Sequence, residues 1–196
     1  MNRKLFLLCL ILLNLSGCMA RLKSFHRGDT VPAGNMLIVG RLVMDPYVHV
    51  SKGPTAIVGD TYGTILLLFT ERPTDPFTRA AHAKFFANGP QGGVFAFVAP
   101  RQPLYLRGLY IMEFVGGGLT GNQQVSGPRV GEVLCTTNMT IEPRPEDQVI
   151  YVGAIYCHHA QETPEARVYD DWKNSEPELR SYTDTSRVKM RFPKAR

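Results

Sequence analysis

Several stretches of the 196-residue chain carry side chains whose types and spacing suit a chemical role. Gly116-Gly117-Gly118-Leu119-Thr120-Gly121 has the spacing of a GxGxxG loop, whose glycines let backbone amides approach a pyrophosphate. That use needs a helix to open directly after the loop. Asn122 to Pro128 instead brings more turn formers and no helical stripe, so a loop between strands is expected. Ser186-Arg187-Val188-Lys189 matches Ser-x-x-Lys, which brings hydroxyl and amine together on a helical turn. Here the surrounding alternation is that of a strand, where residues three apart face opposite sides. Cys157-His158-His159, with Asp170-Asp171 downstream, offers metal ligands, but adjacent histidines on a strand project to opposite faces and cannot share an ion. His26, His49 and His82 are scattered. The carboxylates between Glu142 and Asp147, and the pair Asp170-Asp171, could serve a glycosidase or calcium; such work needs a cleft with a perturbed pKa. Around Pro143 and Pro145 they read instead as a solvated hairpin loop. Tyr47, Tyr62, Phe85, Phe86, Tyr105, Tyr110 and Tyr151 could line a sugar-binding face, yet aromatic residues on strands belong mostly to cores. The chain has no GxSxG, HExxH or Walker loop. No catalytic, cofactor or metal residue is assigned on this basis.

Composition sets the frame for these side chains. With 44% hydrophobic and 20% charged residues the chain is ordinary globular material for one domain, and 18 Gly with 14 Pro foretell short elements joined by many turns. The net charge is +5. Loss of Arg3 and Lys4 with an amino-terminal signal leaves 20 cations against 17 anions, or +3, spread too evenly for a nucleic-acid footprint.

Residues 1–18 begin with Arg3-Lys4, continue as an apolar run from Leu5 to Leu13, and close with Leu15-Ser16-Gly17-Cys18. This is the layout of an export signal, and the run is too short to span a bilayer as a permanent helix. The closing residues resemble the lipobox of bacterial lipoproteins: an apolar residue, two small ones and an obligatory Cys. The resemblance implies cleavage between Gly17 and Cys18, a diacylglyceryl group on the Cys18 thiol, an acylated amino group, and a bilayer as partner. Several acyl chains anchor stably where one is marginal. Met19, in the place where Asp would retain the protein at the inner membrane, favours the outer membrane of a two-membrane host.

Cys9 lies in the signal and Cys18 carries the lipid, which leaves Cys135 and Cys157. An exported chain meets oxidising conditions, so these two suggest a disulfide; two buried thiols packed as small hydrophobes are the alternative.

The organisation expected from this is a signal over 1–17, a lipidated amino terminus and basic tether over 18–35, and a folded domain over 36–196. Strands are expected at Met36 to Val43, Ala56 to Val58, Thr64 to Phe69, Val94 to Val98, Leu104 to Val115, Val133 to Ile141 and Val149 to Cys157. Val133, Cys135, Met139 and Ile141 alternate with Thr136, Asn138 and Thr140 at period two, while Val149 to Cys157 is apolar on both faces, as in a strand covered on both sides. Thr163-Pro164 reads as a helix start, with Val168, Trp172 and Leu179 at near-helical spacing and a second short helix restarting at the capping box Ser175 to Glu178. Arg187 to Phe192 reads as an edge strand with Val188, Met190 and Phe192 inward and the cations outward. The fold expected is mainly β, an antiparallel β-sandwich with a short C-terminal helical segment.

Gly92 to Phe97, Ala99-Pro100 and Leu104-Tyr105-Leu106 loosely resemble the Gly-x-Phe strand, Pro-rich turn and Tyr-bearing strand of transthyretin-like and carboxypeptidase-regulatory-like sandwiches. The resemblance departs at Arg101-Gln102, where a Pro-Gly turn is usual. It implies an accessory, non-catalytic domain. The expected role is thus a membrane-anchored interaction or assembly module of the cell envelope with a protein partner there and no nucleic acid. The competing readings are an envelope enzyme acting on peptidoglycan or glycan through Glu142 or Asp170, and a ligand-binding sandwich using the stretch Phe77 to Gly93.

Overall fold

The computed structural model describes residues 20–46, 61–75, 77, 83–90, 92–115 and 129–195. The lipobox, the Gly116–Gly121 loop, Tyr47, His49, His82 and the strand expected at Ala56 to Val58 lie outside them.

The chain is mainly β. The described residues hold twelve strands: β1 (Ala20–Arg21), β2 (Lys23–Ser24), β3 (Asn35–Asp45), β4 (Thr61–Thr70), β5 (Phe85–Gly89), β6 (Val94–Pro100), β7 (Leu104–Val115), β8 (Arg129–Ile141), β9 (Val149–His158), β10 (Glu165–Tyr169), β11 (Val188–Met190) and β12 (Lys194–Ala195). One helix, α1 (Trp172–Leu179), precedes a 3-10 turn at Thr185–Arg187. In place of the two stacked sheets of a sandwich, the strands form a single hydrogen-bonded path, β1-β5-β4-β7-β8-β10-β9-β3-β6-β2, that is nearly closed into a barrel. It is mixed: β3 runs parallel to β9, β8 to β10, β1 to β5 and β11 to β9, and the other pairs are antiparallel.

The two ends of the path are consecutive pieces of chain. β1 pairs with β5 (Ala20↔Phe85, Arg21↔Phe86) and β2 with β6 (Lys23↔Val98, Ser24↔Phe97). Leu22 N–H donates to the Phe86 carbonyl at 2.8 Å and Phe25 N–H to that of Ala96 at 2.9 Å. Residues 20–25 therefore fill the seam between β5 and β6, and the stretch read as a tether starts inside the sheet. The sequence signal was faint because Arg21 and Lys23 face solvent while only Leu22 and Phe25 are buried.

The second seam lies between β8 and β9, which are joined by the turn at 142–148 but splay apart. β10 fills the gap at one end, while β11 against β9 and β12 against β8 fill it at the other. This corrects the helix expected from Thr163-Pro164: Glu165–Tyr169 is a strand paired antiparallel to β9, its propensity overridden by the open edge it satisfies. Among the described residues this segment likewise holds one helix, not two, with Ser175 inside it and buried. Phe85–Gly89, expected to be loop, is a strand antiparallel to β4.

Alternation sorts the side chains into an interior and two outer faces. Met36, Ile38, Ile65, Leu67, Phe69, Phe95, Phe97, Leu106, Met139 and Ile150 point inward with Leu22 and fill the barrel. Leu37, Val39, Val94, Val98, Val149 and Tyr151 point outward on β3, β6 and β9, beneath Leu179 of α1, Trp172 and Tyr182. Leu66, Leu68 and Tyr110 point outward on β4 and β7, beneath Phe77 and Ala83 of the β4–β5 connection. The expectation of a doubly covered β9 matches this layering.

Candidate functional site

The pairing of β9 contains a bulge: β3 advances from Val39 to Arg41 while β9 advances from Tyr151 to Ala154. Gly153 sits at this step with φ +90, a backbone conformation that a side chain would strain. The extra residue reverses the facing of everything after it. Before the bulge Tyr151 faces out and Ile150 and Val152 face in; after it Ile155 and Cys157 face in. Tyr156 and His158 are thereby left on the outer surface.

The inward turn of Cys157 brings it to Cys135, with an S–S distance of 2.08 Å and Cα atoms 5.8 Å apart. Both residues are fully buried. β10 lies between β8 and β9 in the sheet, and strands flanking a third in a flat sheet would be about 9.5 Å apart. The sheet is therefore folded sharply at β10, and the disulfide spans the inside of that fold.

On the outside of the same fold, Tyr156, His158, Tyr169, Asp170 and Asp171 line a hollow of about 380 Å³. Tyr156 and Tyr169 are diagonal neighbours across β9 and β10, with rings edge to face at 5.0 Å. The His158 ring stacks over Tyr156 at 6.3 Å, and its Nδ1 lies 3.1 Å from Asp45 Oδ2. Tyr169 is 45% exposed, the most exposed large apolar side chain among those described. Asp170 accepts from the Trp172 N–H at 3.1 Å at the start of α1, and Asp171 lies 3.9 Å from Arg41 Nε. Arg41 also donates to the carbonyls of Gly92 (2.9 Å) and Asn174 (3.2 Å), fastening α1 to the barrel beside Asp171. The exposed Tyr169 ring beside two carboxylates suits a ligand with hydroxyl or cationic groups, through stacking, cation–π contact and acceptor oxygens.

The other candidates are dispersed. Glu142 lies 3.0 Å from Lys194 Nζ, in a separate hollow with Arg144 and Arg191, so Glu142 and Asp170 do not converge. His159 lies in the turn past the end of β9, its Nε2 2.6 Å from the Pro46 carbonyl oxygen. Among the described residues no group of three His, Cys, Asp or Glu is placed to hold a metal ion. Ser186 lies in the 3-10 turn, not in a strand, and its hydroxyl donates to Asp184 at 2.8 Å. Of the aromatic set, Tyr110 and Tyr151 are buried, and Phe85 and Phe86 pack against buried clusters. Burial pushes both tyrosine hydroxyls above their ordinary pKa, and the Tyr151 hydroxyl lies 3.0 Å from Ser175 Oγ.

The chain matches no family model, no curated protein and no solved structure. The contact of half-buried Tyr156 with exposed Tyr169 escapes the sequence reading, because that reading places Tyr169 in a helix. The signal was the alternation Ala166, Val168 against Arg167, Tyr169, which is that of a strand.

The closing segment departs from expectation as well. Met190 and Phe192, expected inward, are 37% and 40% exposed, whereas Arg191, expected outward, turns to the fully buried Asp147. Short β11 uses its backbone for β9, and an ion pair takes the inner position.

Proposed function

We propose that the protein is a lipid-anchored, non-catalytic interaction module of the cell envelope, held through Cys18 and presenting the hollow between Tyr156 and Tyr169 to its partner. The observation that carries this reading is the buried Cys135–Cys157 disulfide in a chain that carries Leu15-Ser16-Gly17-Cys18 after a short apolar run. A disulfide in the core of a folded domain belongs to an oxidising compartment, which is where a lipobox sends a chain. Met19 after the modified Cys favours the outer membrane. Exposed aromatic side chains on a rigid pair of strands are the kind of group that supplies most binding energy at interfaces.

The test is a photo-crosslinking amino acid at position 169 in the full-length protein, in cells, with mass spectrometry of the adducts and of the amino terminus. An acylated Cys18 with one stoichiometric envelope protein at position 169 is the expected outcome. A Cys18→Ser variant should leave the membrane fraction. Adducts with glycan alone would replace the protein partner by a carbohydrate ligand, and an unmodified Cys18 would sink the anchoring.

A further inference from the structure

The strand that closes the barrel is also the piece of chain that follows the proposed lipid attachment, and this has a geometric consequence for where the domain sits. Ala20, the first residue of β1, is two residues from Cys18. Two residues of fully extended chain reach about 7 Å. Ala20 is held by its N–H to the Lys84 carbonyl at 2.9 Å and by registration on Phe85. Leu22, 6% exposed, is packed among the barrel's interior side chains. The chain is thus part of the barrel wall from Ala20 onward, two residues after Cys18.

We propose that the barrel is seated directly on the lipid surface by its closing strand, in a fixed orientation, without an intervening stalk. This rests on the reading of Cys18 as the acylated residue. The end that meets the headgroups is the one where β5 begins. Pairing places Phe85 beside Phe69, Thr70 beside Tyr105, Leu104 beside Ile141 and Leu37 beside Val149, so the turns at 71–75, 101–103 and 142–148 all lie at that end. Charges there are mixed, Glu71, Arg72, Lys84, Arg101, Glu142 and Arg144 among them, so covalent reach and not lipid charge sets the seat. The opposite end carries Asp45 and His158, registered on one another, with Glu165 beside them. β9 climbs from one end to the other over the ten residues Val149–His158, about 30 Å of strand and about 20 Å along a barrel axis at ordinary strand tilt. Seating the barrel therefore holds His158 and the hollow beside it about 20 Å above the headgroups, facing outward.

The experiment uses the full-length lipidated protein in nanodiscs of phosphatidylethanolamine and phosphatidylglycerol containing a headgroup nitroxide lipid. A fluorophore is placed at Thr74→Cys, in the turn after β4, or at Glu162→Cys, beside the far end; both positions are exposed. Intact mass of each preparation records whether Cys18 is acylated. The expected result is quenching at position 74 at least fivefold greater than at position 162, with the contrast lost when a fifteen-residue Gly-Ser linker is inserted between Met19 and Ala20. Equal quenching at the two positions, or a contrast that survives the linker, in an acylated protein overturns the seating and leaves the anchoring intact. An unmodified Cys18 overturns both.

Discussion

Arg191 grips Asp147 with two hydrogen bonds, from Nε at 2.8 Å and from Nη2 at 2.9 Å, and this pair ties the last strands of the chain to the β8–β9 turn. Burial of Asp147 works against its charge, but Arg191, the Arg144 N–H at 2.8 Å and the two guanidinium charges outweigh it and hold the carboxyl below its ordinary 3.8. A carboxyl with a depressed folded pKa contributes stability that is present above its unfolded value and lost as pH falls through the folded one. Asp147→Asn should therefore cost about 2 to 3 kcal/mol at pH 7, because it leaves Arg191 without its charge partner. Urea unfolding checks this: the gap between wild type and variant should hold from pH 7 to about 4 and shrink below. A gap independent of pH to 2.5 would mean that the ion pair contributes nothing.

Closure of the barrel by residues 20–25 makes Leu22 a core residue. Leu22→Ala in the Cys18→Ser background should destabilise the domain by about 2 to 4 kcal/mol, the range for a buried leucine that leaves a cavity. Arg21→Ala, at an exposed position on the same segment, should change stability by less than about 0.5 kcal/mol. Thermal unfolding measures both. Equal, small effects would restore the tether expected from the sequence.

What the sequence disclosed follows from how much a single strand reveals of its own environment. The interior of β8 was legible because Cys135, Met139 and Ile141 are buried and Thr136 and Asn138 are not. β9 was legible because both its faces are covered, which writes an unbroken apolar run. Residues 20–25 and 165–169 were not legible, because each is a short strand recruited by an open seam that other strands create. Nor could the pattern tell a sandwich from a barrel: both bury alternate residues, and the difference lies in which strands meet at the edges. The hollow was half legible. His158, Asp170 and Asp171 were singled out as chemistry-bearing, but their assembly with Tyr156 and Tyr169 depends on a bulge that one glycine marks.

The Cys135–Cys157 bond closes a sequence separation of 22 residues and is sealed from solvent on both sides. Replacing both with Ala should cost roughly 3 kcal/mol, the chain-entropy value for a loop of that size. The folded protein should resist dithiothreitol without denaturant and be reduced once urea unfolds it, which thiol alkylation and intact mass would report. Rapid reduction of the folded protein would show that the fold at β10 opens in solution.

Gly153 joins the two sides of that fold, since it sends Cys157 inward and Tyr156 outward. A Cβ there would lie 2.6 Å from Val168 Cγ1 and 2.8 Å from the Tyr169 carbonyl oxygen, on a backbone at φ +90. Those neighbours belong to β10, so the strain falls on the strand that carries Tyr169. Gly153→Ala should cost roughly 2 to 4 kcal/mol, summing the left-handed backbone penalty and the overpacking. Gly92→Ala provides the contrast, because Gly92 also has positive φ but nothing within 4 Å of its added Cβ. It should cost about 1 kcal/mol, the backbone penalty alone. Urea unfolding gives the two stabilities, and crosslinking from position 169 gives the consequence for binding. Gly153→Ala should weaken the crosslink under conditions where the variant remains folded, and Gly92→Ala should not. Equal costs for the two substitutions would mean that β10 moves aside freely, and that the bulge does not position Tyr169.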